Sequence, residues 1–265
     1  LRQQLEKERL DRELKFARRI QLSFLPEKDP DWPGYDVSAA NLSSEEVSGD
    51  FFDFIPISRD NWGVVIADVS GKGVPAALIM ASLRAALWAE VRNTYALATI
   101  CARMNNFLYQ SLGDYEFVTA VYGVLDLASH IFTYTNAGHL PPLHVRPDGE
   151  VSYLEEGGLI LGAFKDAEYT EGRGRLDNGE LLVFYTDGAV EAMNAEGDEF
   201  GRERLVEAVL ENRQRSARAI REEIVARVIA FSGQEHPADD LTLIVLKREP
   251  VGLSVAASGK ATDAP

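Results

Sequence analysis

Aspartates recur at the ends of the apolar segments of this sequence. Asp50 precedes the segment FFDFIPI, Asp68 closes WGVVIAD, Asp187 closes LLVFYTD, and Asp239 with Asp240 precedes LTLIVL. A carboxylate at the end of a buried strand is costly unless it is paired, capped or bound to a metal. One such residue is usually a helix cap or a turn residue, but four such sites around one set of strands are harder to explain separately.

These aspartates could together bind divalent cations that hold a phosphate. The strand ends carry no matching set of lysines or arginines to neutralise them. The chain also lacks a cysteine cluster and paired histidines, so oxygen ligation favours Mg2+ or Mn2+, with Ca2+ as an alternative, over zinc. Two such ions about 3.5–4 Å apart can activate a water and neutralise a phosphoryl group. The pattern therefore predicts a carboxylate site for two divalent cations.

The loop after Asp68 admits a second interpretation, in which it binds a dinucleotide directly. A G-x-G-x-x-A pattern begins at Gly71, between a strand-like and a helix-like segment, and this spacing matches a dinucleotide fingerprint. That fingerprint also requires a second parallel strand soon after the helix, whereas the next convincing strand begins only at Phe117. Lys72 lacks the spacing of a Walker loop. The dinucleotide interpretation is therefore the weaker one.

Strand-like and helix-like segments alternate along the chain and must position these residues. Residues 51–57 and 62–68 flank the turn-forming residues 58–61, which predicts an antiparallel hairpin. Residues 117–126 and 130–138 predict a second hairpin. Further strands are predicted over 35–41, 179–188 and 241–249, and helices over 76–91, 97–112, 202–212 and 216–231. Hairpins in series with helices in pairs indicate an α+β fold of antiparallel sheets covered by helices.

Residues 1–25 are predicted to form a charged helix that precedes one folded domain over residues 26–249. An apolar seam with alternating steps of four and three is typical of a short coiled coil; it comprises Leu10, Leu14, Ala17, Gln21 and Phe24. The helix either docks on its own domain or connects to an upstream domain, and we favour the connector, with dimerisation through it left open. Residues 250–265 are small and polar and are predicted to be a disordered tail.

The composition limits the classes of partner. The chain of 265 residues is 46% hydrophobic and carries a formal net charge of −15, which disfavours nucleic acid or anionic lipid as a main partner. The single cysteine, Cys101, cannot form a disulfide within the chain and is expected to be a structural thiol in a reducing compartment. No apolar run approaches the ~20 residues that span a bilayer, and no secretory signal is visible. We therefore expect a cytoplasmic location.

Eight segments stand in an order that is typical of one enzyme family. They are ARRIQLSFLP (17–26), VSGDFFDF (47–54), ADVSGKGVPAAL (67–78), FVTAVYGVLD (117–126), TNAGHLPPL (135–143), LVFYTDGAVEAMN (182–194), FGRERL (200–205) and ADDLTLIVLK (238–247). As a set, this sequence resembles the PPM (type 2C) metal-dependent serine/threonine phosphatases, specifically the bacterial SpoIIE/RsbU branch. The resemblance implies two stacked antiparallel sheets flanked by helix pairs, with a metal site between the sheet rims.

The resemblance also implies a role for each residue that matches a motif. Two Mn2+ or Mg2+ ions would be ligated by Asp50, Asp68, the backbone carbonyl of Val69, Asp187 and Asp239, and Asp240 would support them. Many eukaryotic relatives carry a histidine, a candidate general acid, where this chain has Ser70, so the leaving group would be protonated from elsewhere, with metal-bound water as the candidate. Three other polar residues of these motifs are candidates for a functional role. Asp53 and His139 are expected to be structural, whereas Lys72 could approach a phosphate or be a solvated loop lysine.

The function implied by the resemblance is removal of phosphate from serine or threonine of a protein by metal-activated water, without a phosphoenzyme. In this branch the substrate is typically a phosphorylated anti-anti-sigma factor, a STAS-domain protein of a partner-switching pathway. The N-terminal helix would transmit the state of an upstream sensor domain. Two alternatives stay open, namely a non-catalytic regulatory binding module on the same fold and a hydrolase of a small phosphorylated metabolite.

Overall fold

Two β-sheets stack face to face in the computed structural model, which describes residues 2–44, 46–94, 96–113, 115–234 and 236–249. The first sheet has the strand order β1 (Tyr35–Leu42), β11 (Leu241–Arg248), β10 (Leu181–Tyr185), β6 (Leu143–Val145) and β7 (Val151–Tyr153). The second has the order β2 (Phe51–Pro56), β3 (Asn61–Val69), β4 (Val118–Asp126), β5 (Ile131–Ala137) and β8 (Gly157–Gly158), and β9 (Gly172–Arg175) also pairs with β5. These pairings are antiparallel except for the short contact between β5 and β8.

A pair of helices covers the outer face of each sheet. Helices α2 (Gly73–Glu90) and α3 (Leu97–Ser111) pack on the second sheet, and α4 (Gly201–Asn212) and α5 (Ala217–Ser232) pack on the first. A third apolar cluster fills the space between the two sheets. The chain therefore forms four layers in the order helix pair, sheet, sheet, helix pair, which confirms the predicted α+β sandwich.

The strand β2 shows why both faces of the second sheet are apolar. Phe52 and Phe54 point into the cluster between the sheets, whereas Phe51 and Ile55 point towards the helices α2 and α3. Successive side chains of a strand alternate between its two faces, so a strand in the middle of a four-layer fold is apolar at nearly every position. The predicted hairpins are confirmed, since β2 pairs with β3 and β4 pairs with β5.

Asp53 lies on the helix-facing side of β2, the same side as Phe51. Its carboxylate accepts hydrogen bonds from Arg84 Nε at 3.2 Å and from Trp88 Nε1 at 2.8 Å, both on α2. The guanidinium of Arg84 also stacks over the Phe24 ring, 5.6 Å from its centroid. Asp53 therefore fastens α2 to the sheet, and Arg84 extends this contact to Phe24, which is a structural role.

The N-terminal helix, α1 (Arg2–Leu22), docks on its own domain through the second half of its seam. Gln21 is buried, and its amide group donates to the carbonyl oxygen of Ser48 at 2.6 Å and accepts from the Ser48 N–H at 2.9 Å. Leu10 is exposed on this helix, as are Phe16 and Ile20. The C-terminal end of α1 is therefore docked on its own domain. The connector and dimerisation roles of the helix stay predictions.

Within the described residues, no helix combines the length and apolar character that crossing a bilayer requires. The predicted tail, residues 250–265, lies outside the described residues.

Candidate metal centre

The five aspartates of the sequence pattern line one cleft of about 520 Å3 at the rims of the two sheets; they are Asp50, Asp68, Asp187, Asp239 and Asp240. The topology brings them together. The start of β2 and the end of the antiparallel strand β3 lie at the same edge of the second sheet. The end of β10 and the start of β11 are likewise neighbours at the edge of the first sheet. Strand pairing therefore places residues from four distant parts of the chain around one space.

Negative charge dominates this cleft. Burial, followed by the charges of Asp187 and Asp239, raises the pKa of Asp68 to about 7. Burial, followed by the charge of Asp68, also raises the pKa of Asp50 well above its usual range. Glu191 adds another carboxylate to the lining. Carboxylates crowded in this way are stabilised in their charged form by a nearby cation.

Two threonines fix the carboxylate of Asp50, which is only 2% exposed. Its Oδ2 atom accepts hydrogen bonds from Thr186 Oγ1 at 2.7 Å and from Thr242 Oγ1 at 2.6 Å. Asp50 immediately precedes β2 of the second sheet, whereas Thr186 follows β10 and Thr242 lies in β11 of the first. The bonds therefore tie the two sheets together at the cleft and orient one carboxylate. The sequence pattern does not single out either threonine, although each stands within two residues of a predicted site aspartate.

Asp240 holds the backbone that leads into Asp50. Its Oδ1 atom accepts from the Ser44 N–H at 2.7 Å and the Ser44 hydroxyl at 3.0 Å, and its Oδ2 atom accepts from the Gly49 N–H at 3.2 Å. Ser48, on the same segment, is the residue that Gln21 binds. Both carboxylate oxygens of Asp240 thus have protein donors, which fits a supporting position beside the other aspartates.

Two glycines allow the backbone segments around the cleft to approach closely. A Cβ atom at Gly49 would lie 2.9 Å from the carbonyl oxygen of Val69, which itself lines the cleft. A Cβ atom at Gly188 would overlap the carbonyl oxygen of Asp240. Glycine at these positions therefore lets the segment before β2 lie against the end of β3. It also lets the turn after Asp187 lie against the start of β11.

The remaining polar residues of the lining differ in their roles. His139 is buried, and its Nδ1 atom lies 2.8 Å from Thr119 Oγ1 while Nε2 lies 3.2 Å from the carbonyl oxygen of Tyr185. Burial lowers the pKa of His139 to about 4, and both ring nitrogens contact protein atoms, which fits a structural role. Ser70 Oγ accepts from the Phe117 N–H at 2.9 Å and extends the β3–β4 pairing.

The donor set of the cleft fits hard divalent cations. Carboxylate and backbone carbonyl oxygens are the ligands that Mg2+ and Mn2+ prefer, and the one histidine of the lining has both ring nitrogens engaged in the protein. In the part of the chain that the structure describes, no three acidic, histidine or cysteine side chains already form a ligand cluster. The individual ligands, namely Asp50, Asp68, the Val69 carbonyl, Asp187 and Asp239, therefore stay predictions.

Comparisons with known proteins agree with this geometry. The family model of Stage II sporulation protein E (SpoIIE) matches residues 58–249, which is more than half of the chain. Phosphoserine phosphatase RsbU of Bacillus subtilis is 29% identical over 239 residues, covering 89% of this chain and 70% of RsbU. Protein IcfG of Synechocystis is also 29% identical, over 270 residues, but this chain spans only 41% of that protein.

Solved structures share the fold. The SiaA-PP2C domain of Pseudomonas aeruginosa has a TM-score of 0.80 at 19% identity, covering 91% of this chain and 98% of that domain. The RsbU and RsbW domains of a Mycobacterium tuberculosis protein give a TM-score of 0.71 at 28% identity, covering 83% of this chain and 61% of that one. The chain therefore belongs to the SpoIIE family, and it is a protein phosphatase domain with the PP2C fold.

Proposed function

We propose that this domain is a metal-dependent protein serine/threonine phosphatase. The observation that carries the proposal is the cleft in which five aspartates from both sheets meet with raised pKa values at Asp50, Asp68 and Asp187. Two divalent cations, Mn2+ or Mg2+, would supply there a hydroxide at neutral pH and neutralise the phosphoryl oxygens. A related solved structure, that of RsbX, is described as a complex with magnesium.

The chain's own residues would hold and orient this centre. Asp50, Asp68 and Asp187 present carboxylates from different strand ends, with Asp239 and the Val69 carbonyl completing the set. Thr186 and Thr242 occupy one oxygen of Asp50 with donors and leave its other oxygen for a cation. No side-chain nucleophile is needed, because attack by water on phosphorus requires none.

The proposed substrate is a phosphorylated STAS-domain antagonist of an anti-sigma factor, acting in a bacterial partner-switching pathway in the cytoplasm. Support comes from the similarity to RsbU, which is named a phosphoserine phosphatase, and from a solved chain that joins an RsbU domain to an RsbW domain. The chain spans less than half of IcfG and of RsbP of Bacillus subtilis, which supports further domains, such as an upstream sensor, in the full protein. The helix α1 would connect to it and could form a homodimer.

The test combines turnover with metal binding. We expect hydrolysis of p-nitrophenyl phosphate and of a phosphoserine peptide with Mn2+ or Mg2+, and loss of both activities with EDTA or in Asp187→Asn. Calorimetric titration of Mn2+ separates a silent enzyme, which binds metal, from a non-catalytic module, which does not. Faster hydrolysis of free nucleotides than of phosphopeptides would favour the metabolite hydrolase instead.

A further inference from the structure

The cleft contains a cationic side chain of its own. Lys72 lies in the loop between β3 and α2, and its Nζ atom is 2.8 Å from Asp239 Oδ1; the two side chains are 51% and 43% exposed. Among the described residues that line the cleft, it is the one lysine or arginine beside five aspartates and Glu191. Burial and the charge of Asp239 raise the pKa of Asp187, and the charge of Lys72 partly offsets that rise.

The backbone on both sides of Lys72 is shaped by glycine. Gly71 has φ +88° and Gly73 has φ +71°, a region that other residues rarely adopt, while Lys72 itself is extended. A Cβ atom at Gly71 would meet nothing within 4 Å, so glycine is required there by conformation and not by contact. The two glycines flank the lysine directly before the first turn of α2, and its side chain reaches Asp239, just before β11 of the other sheet.

We propose that Lys72 is the counter-cation of the metal-free cleft and that it binds the substrate's phosphate once Asp239 is engaged by a metal. This inference rests on the proposed function. An ammonium group and a divalent cation repel one another, so each weakens the interaction of the other with the carboxylate of Asp239. The lysine has a flexible stem and three donors, and a phosphate group held in the cleft would be the strongest acceptor then within its reach.

This role predicts effects of opposite sign on two ligands. Without the lysine, metal no longer competes with an internal cation for Asp239, so the metal should bind more tightly. The phosphate loses a charged donor, so it should bind more weakly. If Lys72 merely supported the loop, its replacement would lower the affinity for the metal and for phosphate alike, because the same loop would contribute to binding both.

The experiment uses Lys72→Met, the charge-preserving Lys72→Arg, and Lys28→Met as a matched control with the same loss of charge at an exposed site outside the cleft. Mn2+ is titrated calorimetrically into each metal-free protein at pH 8, and inorganic phosphate into each Mg2+-saturated protein. For Lys72→Met we expect Mn2+ to bind roughly 3–10-fold more tightly and phosphate roughly 3–10-fold more weakly, as suits a half-exposed ionic contact. Lys72→Arg and Lys28→Met should match the wild-type protein in both titrations.

Unchanged or weaker Mn2+ binding in Lys72→Met would overturn the counter-cation role, and unchanged phosphate binding would overturn the substrate role. Neither titration depends on turnover. A wild-type protein that binds Mn2+ but hydrolyses free nucleotides faster than phosphopeptides would therefore contradict the proposed function, while the opposite shifts in Lys72→Met would still support the assignment of Lys72. A thermal melt of each Mg2+-saturated variant checks that it is folded.

Discussion

Replacing Thr242 by valine tests whether the hydroxyl groups around Asp50 prepare the metal centre. Valine keeps the shape of the side chain and removes one of the two hydroxyls that donate to Asp50 Oδ2, here at 2.6 Å. The other, from Thr186 at 2.7 Å, remains. The same hydroxyl of Thr242 accepts from Asn41 Nδ2 at 2.8 Å, and that amide is partly exposed and can bind water instead.

The expected loss of Mn2+ affinity in Thr242→Val follows from the burial of Asp50 and from its charge. Asp50 and Thr242 are both almost fully buried, and a buried hydrogen bond to a charged group contributes about 1.5–3 kcal/mol. Loss of a partner that orients a metal ligand typically weakens metal binding by about 10–100-fold. We therefore expect Thr242→Val to weaken Mn2+ binding by at least about tenfold in a calorimetric titration.

Thr242→Ser is the matched control, because it keeps the hydroxyl and deletes only a methyl group. It should lose about 0.8 kcal/mol of stability for that buried group yet bind Mn2+ within about twofold of the wild-type protein. Both variants are also melted without metal, so that a loss of folding is distinguished from a loss of metal binding. Equal Mn2+ affinities for the valine and serine variants would refute the reasoning.

Three further predictions concern pH, the α2 contact and the glycine turn. The folded pKa of Asp68, about 7, exceeds its ordinary value of 3.8. The contribution of Asp68 to the stability of the metal-free protein is therefore full below about pH 4 and is lost as the pH rises through 7. In thermal melts, the stability of Asp68→Asn relative to wild type should grow from pH 5 to pH 8, and a constant difference would contradict this. Trp88→Phe removes the N–H donor to Asp53 and should cost about 1.5–3 kcal/mol of unfolding free energy by denaturant titration, with Mn2+ affinity unchanged because Asp53 lies outside the cleft. Gly188→Ala places a Cβ atom against the Asp240 carbonyl and should lower both the melting temperature and the Mn2+ affinity, whereas wild-type values for both would show that the turn can relax.

The layered fold could be predicted from the sequence because local patterns carry it. Strands such as β2 and β3 are apolar on both faces and are joined by a short turn, which identifies a hairpin buried between a sheet and a helix layer. The aspartates at the ends of these strands could be grouped for the same reason, since paired strands bring their ends together. What local patterns could not supply was which groups hold Asp50, because Thr186 and Thr242 lie 136 and 192 residues further along the chain.

The N-terminal helix illustrates a second limit, which is geometric. A seam with steps of three and four fits a partner helix and the surface of the helix's own domain equally well. In the structure, contacts between this segment and its own domain lie near and just after the C-terminal end of α1, while several apolar side chains elsewhere on the helix are exposed. Gln21 and Phe24 contact the domain, whereas Leu5, Phe16 and Ile20 are exposed. The spacing was informative about the faces of the helix but not about which surface each face meets.

The two sheets are joined at the cleft by the same residues that surround the proposed metals. Asp50, just before β2, accepts hydrogen bonds from Thr186, just after β10, and from Thr242 in β11. Asp240, just before β11, accepts one from the backbone N–H of Gly49, which precedes β2. The crowded carboxylates repel one another at this junction, while the hydrogen bonds across it hold them in place. Cations bound there would remove the repulsion and leave the bonds, so metal loading and the stacking of the sheets should stabilise each other. A site built across two layers in this way makes the stability of the fold depend on the charge state of the cleft.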